Sequence, residues 1–178
     1  MRLFTALCAL AAAFGVSACS SSSYRDTSQP MQAVDDLDLA RYLGLWYEIA
    51  RFPNRFEQGC AGVTAEYGQR PDGKITVVNT CHKGSPDGPV ETAEGVAEVV
   101  APGKLKVSFV PWLPFARGDY WVLHVDPGYS VAVVGEPSGR TGWILARTST
   151  IEPEIYDKGI SVLRAMGYDT SQMQRVAQ

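Results

Sequence analysis

From residue 44 to about residue 149 the chain reads as one strand after another, with no helical spacing of apolar residues in between. In GVTAEYGQRPDGKITVVNTC, Val63, Ala65 and Tyr67 share a face against Thr64 and Glu66, and Ile75 and Val77 share one against Thr76. Arg70-Pro71-Asp72-Gly73 between them is turn chemistry: proline presets φ and glycine accepts φ > 0. Ala93, Gly95, Ala97 and Val99 alternate with Glu94, Val96 and Glu98, and Leu105, Val107 and Phe109 with Lys106 and Ser108. DYWVLHV, YSVAVVG and GWILART alternate less cleanly but are strongly β-prone. With GLWYEIARF at residues 44–52 the count is eight strands, joined by turns as short as Asp126-Pro127-Gly128. Such turns make an antiparallel meander, and an open sheet of this kind would leave two long unpaired edges. Closure removes both. The predicted fold is therefore all-β, an eight-stranded antiparallel up-and-down barrel, whose interior has room for one small ligand. A sandwich would need crossing connections, for which these loops are mostly too short.

One helix follows the strands. Pro153 suits a first turn, Glu154 complements a helix N-terminus, and Ile155, Gly159, Val162, Leu163 and Met166 fall on one stripe. Gly167 is the expected stop. The stripe predicts a C-terminal α-helix packed on the outside of the barrel.

The N-terminus reads differently. Met1-Arg2 and the apolar run LFTALCALAAAFGV have the length of a secretory signal and fall short of a membrane span. Ser17, Ala18, Cys19 and a serine tract follow, which resembles the lipobox of bacterial lipoproteins. That resemblance implies a signal peptide at residues 1–18, removed on maturation, and lipidation of Cys19 with palmitate or a similar acyl chain. Residues 19–37 then form a lipidated N-terminus and flexible tether, being too polar to offset their ordering entropy by burial. Residues 38–178 are the folded domain. Loss of Arg2 with the signal leaves 15 of the 16 basic residues against 19 acidic ones, a net charge of −4. With no basic block, nucleic acid is excluded as a partner.

Cys60 and Cys81 are the cysteines left to the domain, in a compartment that permits disulfides. They stand almost opposite each other across the hairpin centred near residue 71, and one bulge brings them within bridging range.

Gly44-x-Trp46 at the first strand of such a meander resembles the lipocalin family. YLGLWYEIARFPNRFE, KLKVSF and WILART are similar to the bacterial outer-membrane lipocalins and their apolipoprotein-D-like relatives. The resemblance implies that Trp46 plugs the closed end of the barrel beneath Arg147, a cation–π contact, with Gly44 letting the backbone pass close. It also implies that Gly118-Asp119-Tyr120 is the family's middle motif, with glycine in place of the usual threonine.

Little else suggests catalysis. His82 and His124 have no cysteine or carboxylate at metal-ligand spacing, so neither a metal nor another cofactor is expected. By alternation Glu48 and Arg51 lie on opposite faces, so at most one meets a ligand. A lipocalin-fold enzyme using Cys60 or Cys81 as a free nucleophile is one rival reading; a scaffold lipoprotein without a ligand is another. The inward faces place Tyr67, Val77, Val107, Phe109, Tyr120, Val122, His124, Trp143 and Leu145 along the lumen, with space left by Ala93, Gly95 and Ala97. Such a lumen suits an apolar tail. The expected function is storage or transport of fatty acids or lysophospholipids, and membrane maintenance, by a non-enzymatic lipoprotein. Ser20 after the lipidated cysteine implies sorting to the outer membrane, facing the periplasm. VPWLPFARG, residues 110–118, is barred from ordinary pairing by its prolines yet too apolar for a solvated loop. It is a lid, a homodimer contact or a membrane contact.

Overall fold

A computed structural model describes residues 23–113 and 115–178. The expected signal peptide at residues 1–18 and the lipidation site Cys19 lie outside the described residues. The strands are β1 (Gly44–Arg51), β2 (Cys60–Gln69), β3 (Ile75–Lys83), β4 (Val90–Ala101), β5 (Lys104–Ser108), β6 (Gly118–Val125), β7 (Val131–Gly135) and β8 (Gly142–Ala146). Each pairs antiparallel with the next, and β1 pairs with both β2 and β8, so the sheet closes into a barrel. A short β9 (Gln174–Arg175) adds to β1 at Ala50 and Arg51. It lies beyond the stretch where β1, at Gly44 to Tyr47, pairs with β2.

The β2–β3 hairpin turns at Arg70 to Lys74, where the Arg70 N–H donates to Lys74 O at 3.0 Å and Gly73 has φ 80°. Its register is regular from Gln69↔Ile75 to Thr64↔Thr80, then slips by one residue before Ala61↔His82. Gly62, at φ 54°, sits in the slip. Cys60 thereby faces Lys83, and Cys81 is its diagonal neighbour at a Cα–Cα distance of 5.2 Å, bridged to it as a disulfide.

Alternation divides the apolar residues into two cores. One fills the barrel: Trp46, Tyr67, Ile75, Val77, Ala97, Leu105, Val122, Val134 and Leu145 among others. The second lies outside it, where Leu123, Val133 and Ile144 meet helix α2 (Pro153–Ala165). Helix α2 comes as near as glycine permits: a Cβ on Gly159 would lie 2.9 Å from Ile144 Cδ1. Leu163 is fully buried beside it, whereas Ile155, expected on the same stripe, is 39% exposed. The face in use is Tyr156, Gly159, Ile160, Val162 and Leu163, continued by Met166 at the helix end. Gly167, at φ 87°, ends the helix as expected.

Residues 23–37 are not a free tether. Tyr24 is buried, its ring stacked on Phe52 at 4.8 Å, and Phe52 stacks in turn on Tyr168 at 5.1 Å. The Arg25 guanidinium donates to Met166 O at 2.7 Å and Pro137 O at 3.0 Å, and also to Gln29 O. Farther on, the Val34 N–H donates to Val122 O at 2.9 Å. Composition hid this because the contacts come from a few dispersed side chains, and Arg25 is held by carbonyls that no charge pattern reveals. The segment is a strap laid along the barrel wall.

The bridge between Cys60 and Cys81 closes a loop of sequence separation 21. Replacing both cysteines by serine should lower the unfolding free energy by about 3 kcal/mol, chiefly through a less restricted unfolded chain. Urea denaturation of oxidised and double-serine proteins checks this, and a thiol count on the oxidised domain should return none.

Candidate ligand-binding lumen

The lumen is built upward from its floor. A single helical turn, α1 (Leu39–Tyr42), capped by the Asp38 carboxylate, crosses the end of the barrel where β1 begins. Trp46 is wholly buried there and donates from Nε1 to Tyr42 O at 2.7 Å. The Arg147 guanidinium lies 3.8 Å from the centre of the Trp46 ring. It also donates to Leu45 O at 2.6 Å, Arg41 O at 2.7 Å and Leu43 O at 2.8 Å. Gly44 is at φ 90°, a conformation that favours glycine, and a Cβ there would sit 3.5 Å from Arg147 Nη1. Gly44, Trp46 and Arg147 thus meet as the resemblance implied.

Above the tryptophan three tyrosine hydroxyls join. Tyr120 Oη lies 2.7 Å from Tyr42 Oη and 2.9 Å from Tyr67 Oη. Burial raises all three above the usual phenol range, Tyr67 to about 12. They therefore stay neutral, each able to donate and accept. The apolar wall rises from here through Ile75, Val77, Ala97, Leu105, Val107, Val122 and Leu145. The cavity between α1 and this wall, lined by Leu39, Leu43, Tyr67 and Leu105 among others, measures about 10 Å³, room for about one water. The space expected over the small residues of β4 is taken: a Cβ on Gly95 would lie 2.9 Å from Phe109 Cδ1. Phe109 itself follows β5 and is 42% exposed.

The neck is polar. Register on β1 slips between Glu48, opposite Leu145, and Ala50, opposite Ile144. The bulge turns Arg51 to the face of Trp143 and corrects the expectation that Glu48 and Arg51 oppose each other. Both point inward, and Arg51 Nη1 meets Glu48 Oε1 at 2.7 Å with both side chains largely buried. Arg51 Nη2 further donates to Glu57 O at 3.0 Å and Cys60 O at 2.9 Å. Glu57 reaches in from the β1–β2 loop, accepting from Trp143 Nε1 at 3.3 Å and from Asn54 Nδ2. Burial foremost, then the charge and hydrogen bond of Glu57, push the Glu48 carboxyl well above the usual range against the pull of Arg51.

Of the residues predicted to line the lumen, Tyr67, Val77, Val107, Tyr120, Val122, Trp143 and Leu145 belong to the inner core. His124 does not. A second bulge, between Val122 and His124, sets His124 opposite the outward Val133 and gives the inward position to Val125. Burial and the nearby Lys158 of α2 lower its pKa. Gly118 and Asp119 open β6 at the far end, where Asp119 pairs with Lys106 at 2.7 Å across the strands, while the Tyr120 side chain reaches Tyr42 above the floor. The β6–β7 turn that meets Arg147 is Asp126 to Ser130, whose Tyr129 carbonyl accepts from Arg147 Nε at 3.3 Å. Its Asp126 carboxylate accepts from the N–H groups of Gly128, Ser130 and Val131. Sequence reasoning passed over Tyr42, Glu57 and Tyr129; the Asp126-Pro127-Gly128-Tyr129 turn was the available signal for the last.

A closed eight-stranded barrel with an arginine-capped tryptophan floor and an inward apolar wall defines a lipocalin-type binding barrel. Residues 37–178 match the lipocalin-like domain family model. The chain is 41% identical over 182 residues to the outer membrane lipoprotein Blc of Escherichia coli K12, covering 100% of this chain and 98% of that protein. It is 39% identical over 154 residues to temperature-induced lipocalin-1 of Arabidopsis thaliana, with 83% of each covered. Apolipoprotein D of Macaca fascicularis is 33% identical, with 97% and 93% covered. Among solved structures, insecticyanin from the tobacco hornworm superposes with a TM-score of 0.66 at 23% identity, over 88% of this chain and 87% of that one. The chain belongs to the lipocalin family.

Two outcomes follow from this geometry. Arg147→Met removes the cation–π contact and strands several carbonyls, and should cost about 2–4 kcal/mol in chemical denaturation. Because folded Glu48 holds its proton more tightly than the unfolded chain does, stability should fall as pH rises from the ordinary carboxyl range through the raised one, then level off. Glu48→Gln should flatten that slope in denaturation curves taken across the pH series; an unchanged slope would locate the titration elsewhere.

Proposed function

We propose that this lipocalin is a lipid-binding lipoprotein that holds fatty acids or lysophospholipids tail-down in its barrel. The observation that carries the reading is the division of the lumen: apolar from the tyrosine cluster upward, with one polar group of side chains at the neck. An acyl tail matches the first part and a polar head the second. Arg51 offers a cation, while Glu48, Glu57 and the Trp143 N–H offer acceptors and a donor. The present cavity is close to one water in size, so a tail enters by displacing side chains such as Phe109 and those of α1.

Anchoring through Cys19 in an outer membrane, facing the periplasm, completes the proposal. It is supported by the lipobox and by similarity over the whole chain to a protein named outer membrane lipoprotein Blc. Storage, transport or membrane maintenance would follow from that location. The disulfide uses both sulfurs that an enzyme reading requires. The small cavity favours one other reading, a scaffold lipoprotein with no ligand.

Titration of delipidated protein with fatty acids and lysophospholipids separates the two. Saturable binding with quenching of tryptophan emission is expected, and Trp143→Ala should weaken it about tenfold by removing contact area at the neck. Absence of binding across both lipid classes would leave the scaffold. Cys19→Ala should move the protein out of the membrane fraction; retention there would sink the anchor.

A further inference from the structure

The strap begins at the mouth of the barrel. Ser23 Oγ donates to Ser138 O at 2.8 Å and the Tyr24 N–H to Gly139 O at 2.7 Å, both in the β7–β8 loop. Tyr24 Oη donates to Pro53 O at 2.7 Å in the β1–β2 loop. These loops flank the neck where Arg51 and Glu57 lie, at the end opposite Trp46. Only four residue steps separate Ser23 from Cys19, and even fully extended they reach roughly 14 Å. An eight-residue strand such as β1 spans roughly 26 Å. A lipid on Cys19 therefore holds the mouth, and not the floor, near the bilayer.

The mouth also has the surface for that position. Phe56, Phe109, Trp112 and Phe115 are the exposed phenylalanine and tryptophan side chains among the described residues, and all belong to the mouth. Trp112 is 74% exposed and Phe115 82%, in the β5–β6 loop; Phe56, in the β1–β2 loop, is 71% exposed. Arg55 stands over the Phe56 ring, its Cζ 5.0 Å from the centroid, as a cation for anionic head groups. The floor presents polar turns instead, around Asp72 and Asp126, with aliphatic exposure limited to residues such as Leu45 and Val99. Aromatic bodies with basic neighbours favour the head-group boundary of a bilayer.

We propose that the barrel docks mouth-down on a phospholipid surface, with Trp112, Phe115 and Phe56 inserted at the interface. Lipid then passes between leaflet and lumen without crossing bulk water. The orientation rests on the Cys19 reading; the rim does not. Mature lipidated protein, carrying an environment-sensitive fluorophore at Trp112→Cys or at Asp72→Cys in the floor turn, is reconstituted in vesicles of phosphatidylethanolamine and phosphatidylglycerol. The label at 112 should shift to the blue and be quenched by brominated lipid, and the label at 72 should do neither. Equal behaviour of both labels, or quenching at 72 alone, would overturn the orientation. Unlipidated residues 20–178, which contain the whole described domain, are tested in parallel with the same vesicles. Trp112→Ser with Phe115→Ser should lower their partitioning about tenfold, at an unchanged thermal midpoint. Equal partitioning of parent and variant overturns the docking, whatever Cys19→Ala does in membrane fractionation. Shielding of the 112 label from a water-soluble quencher before vesicles are added would assign the rim to a second copy and overturn it as well.

Discussion

One guanidinium holds the barrel shut at its floor. Arg147, just past β8, lies against the ring of Trp46 on β1 and has no carboxylate partner among the described residues. It is satisfied by the carbonyls of Arg41, Leu43, Leu45 and Tyr129. Those carbonyls belong to the segment entering β1 and to the β6–β7 turn, so one side chain ties together the beginning and the end of the sheet. It fixes α1 and the entry to β1 against the end of β8, the strands whose pairing closes the barrel. A neutral side chain of similar length would leave the indole face without its cation and the carbonyls without donors.

The neck is organised by irregularity. In regular β-strands, residues three apart face opposite sides, so Glu48 and Arg51 meet only because β1 gains a residue between them. Burial of a lone carboxylate there would be costly, and the arrangement divides that cost among Arg51, Glu57 and a raised proton affinity. The same device acts in the opposite sense on β6, where the bulge removes His124 from the lumen and supplies Val125. Two single-residue slips thus decide which groups a ligand would meet.

Alternation and turn chemistry were enough to read the closed meander, because a two-residue period states which side chains share a face. They were also enough for the inner wall, from Tyr67 and Val77 to Trp143 and Leu145, and for the Cys60–Cys81 pairing. What escaped were the departures from period two. His124, Glu48 and Arg51 were misplaced because a bulge leaves no mark in a strand that is polar and apolar by turns. The strap escaped for a different reason: Tyr24 is fixed by Pro53 at a separation of 29, and Arg25 by Pro137 and Met166 at separations of 112 and 141, contacts that no local pattern reveals. Tyr129 escaped as well, because what sets its turn apart is the approach of its carbonyl to Arg147, a contact with no local signature.

Residues 174–178 occupy the gap where β1 and β2 part company. The Val176 N–H donates to Ile49 O at 3.0 Å, the Gly62 N–H to Ala177 O at 2.6 Å, and Gln178 Nε2 to Glu48 O at 2.6 Å. That last contact spans 130 residues of sequence. The seam beside the neck is therefore caulked by chain made long after the strands it seals. While β1 and β2 emerge from a ribosome or a translocation pore, nothing can complete them, and their apolar faces must be kept from other partners. Closure of this seam waits for residues 174–178, so quality control would have all eight strands, and no partial barrel, to inspect.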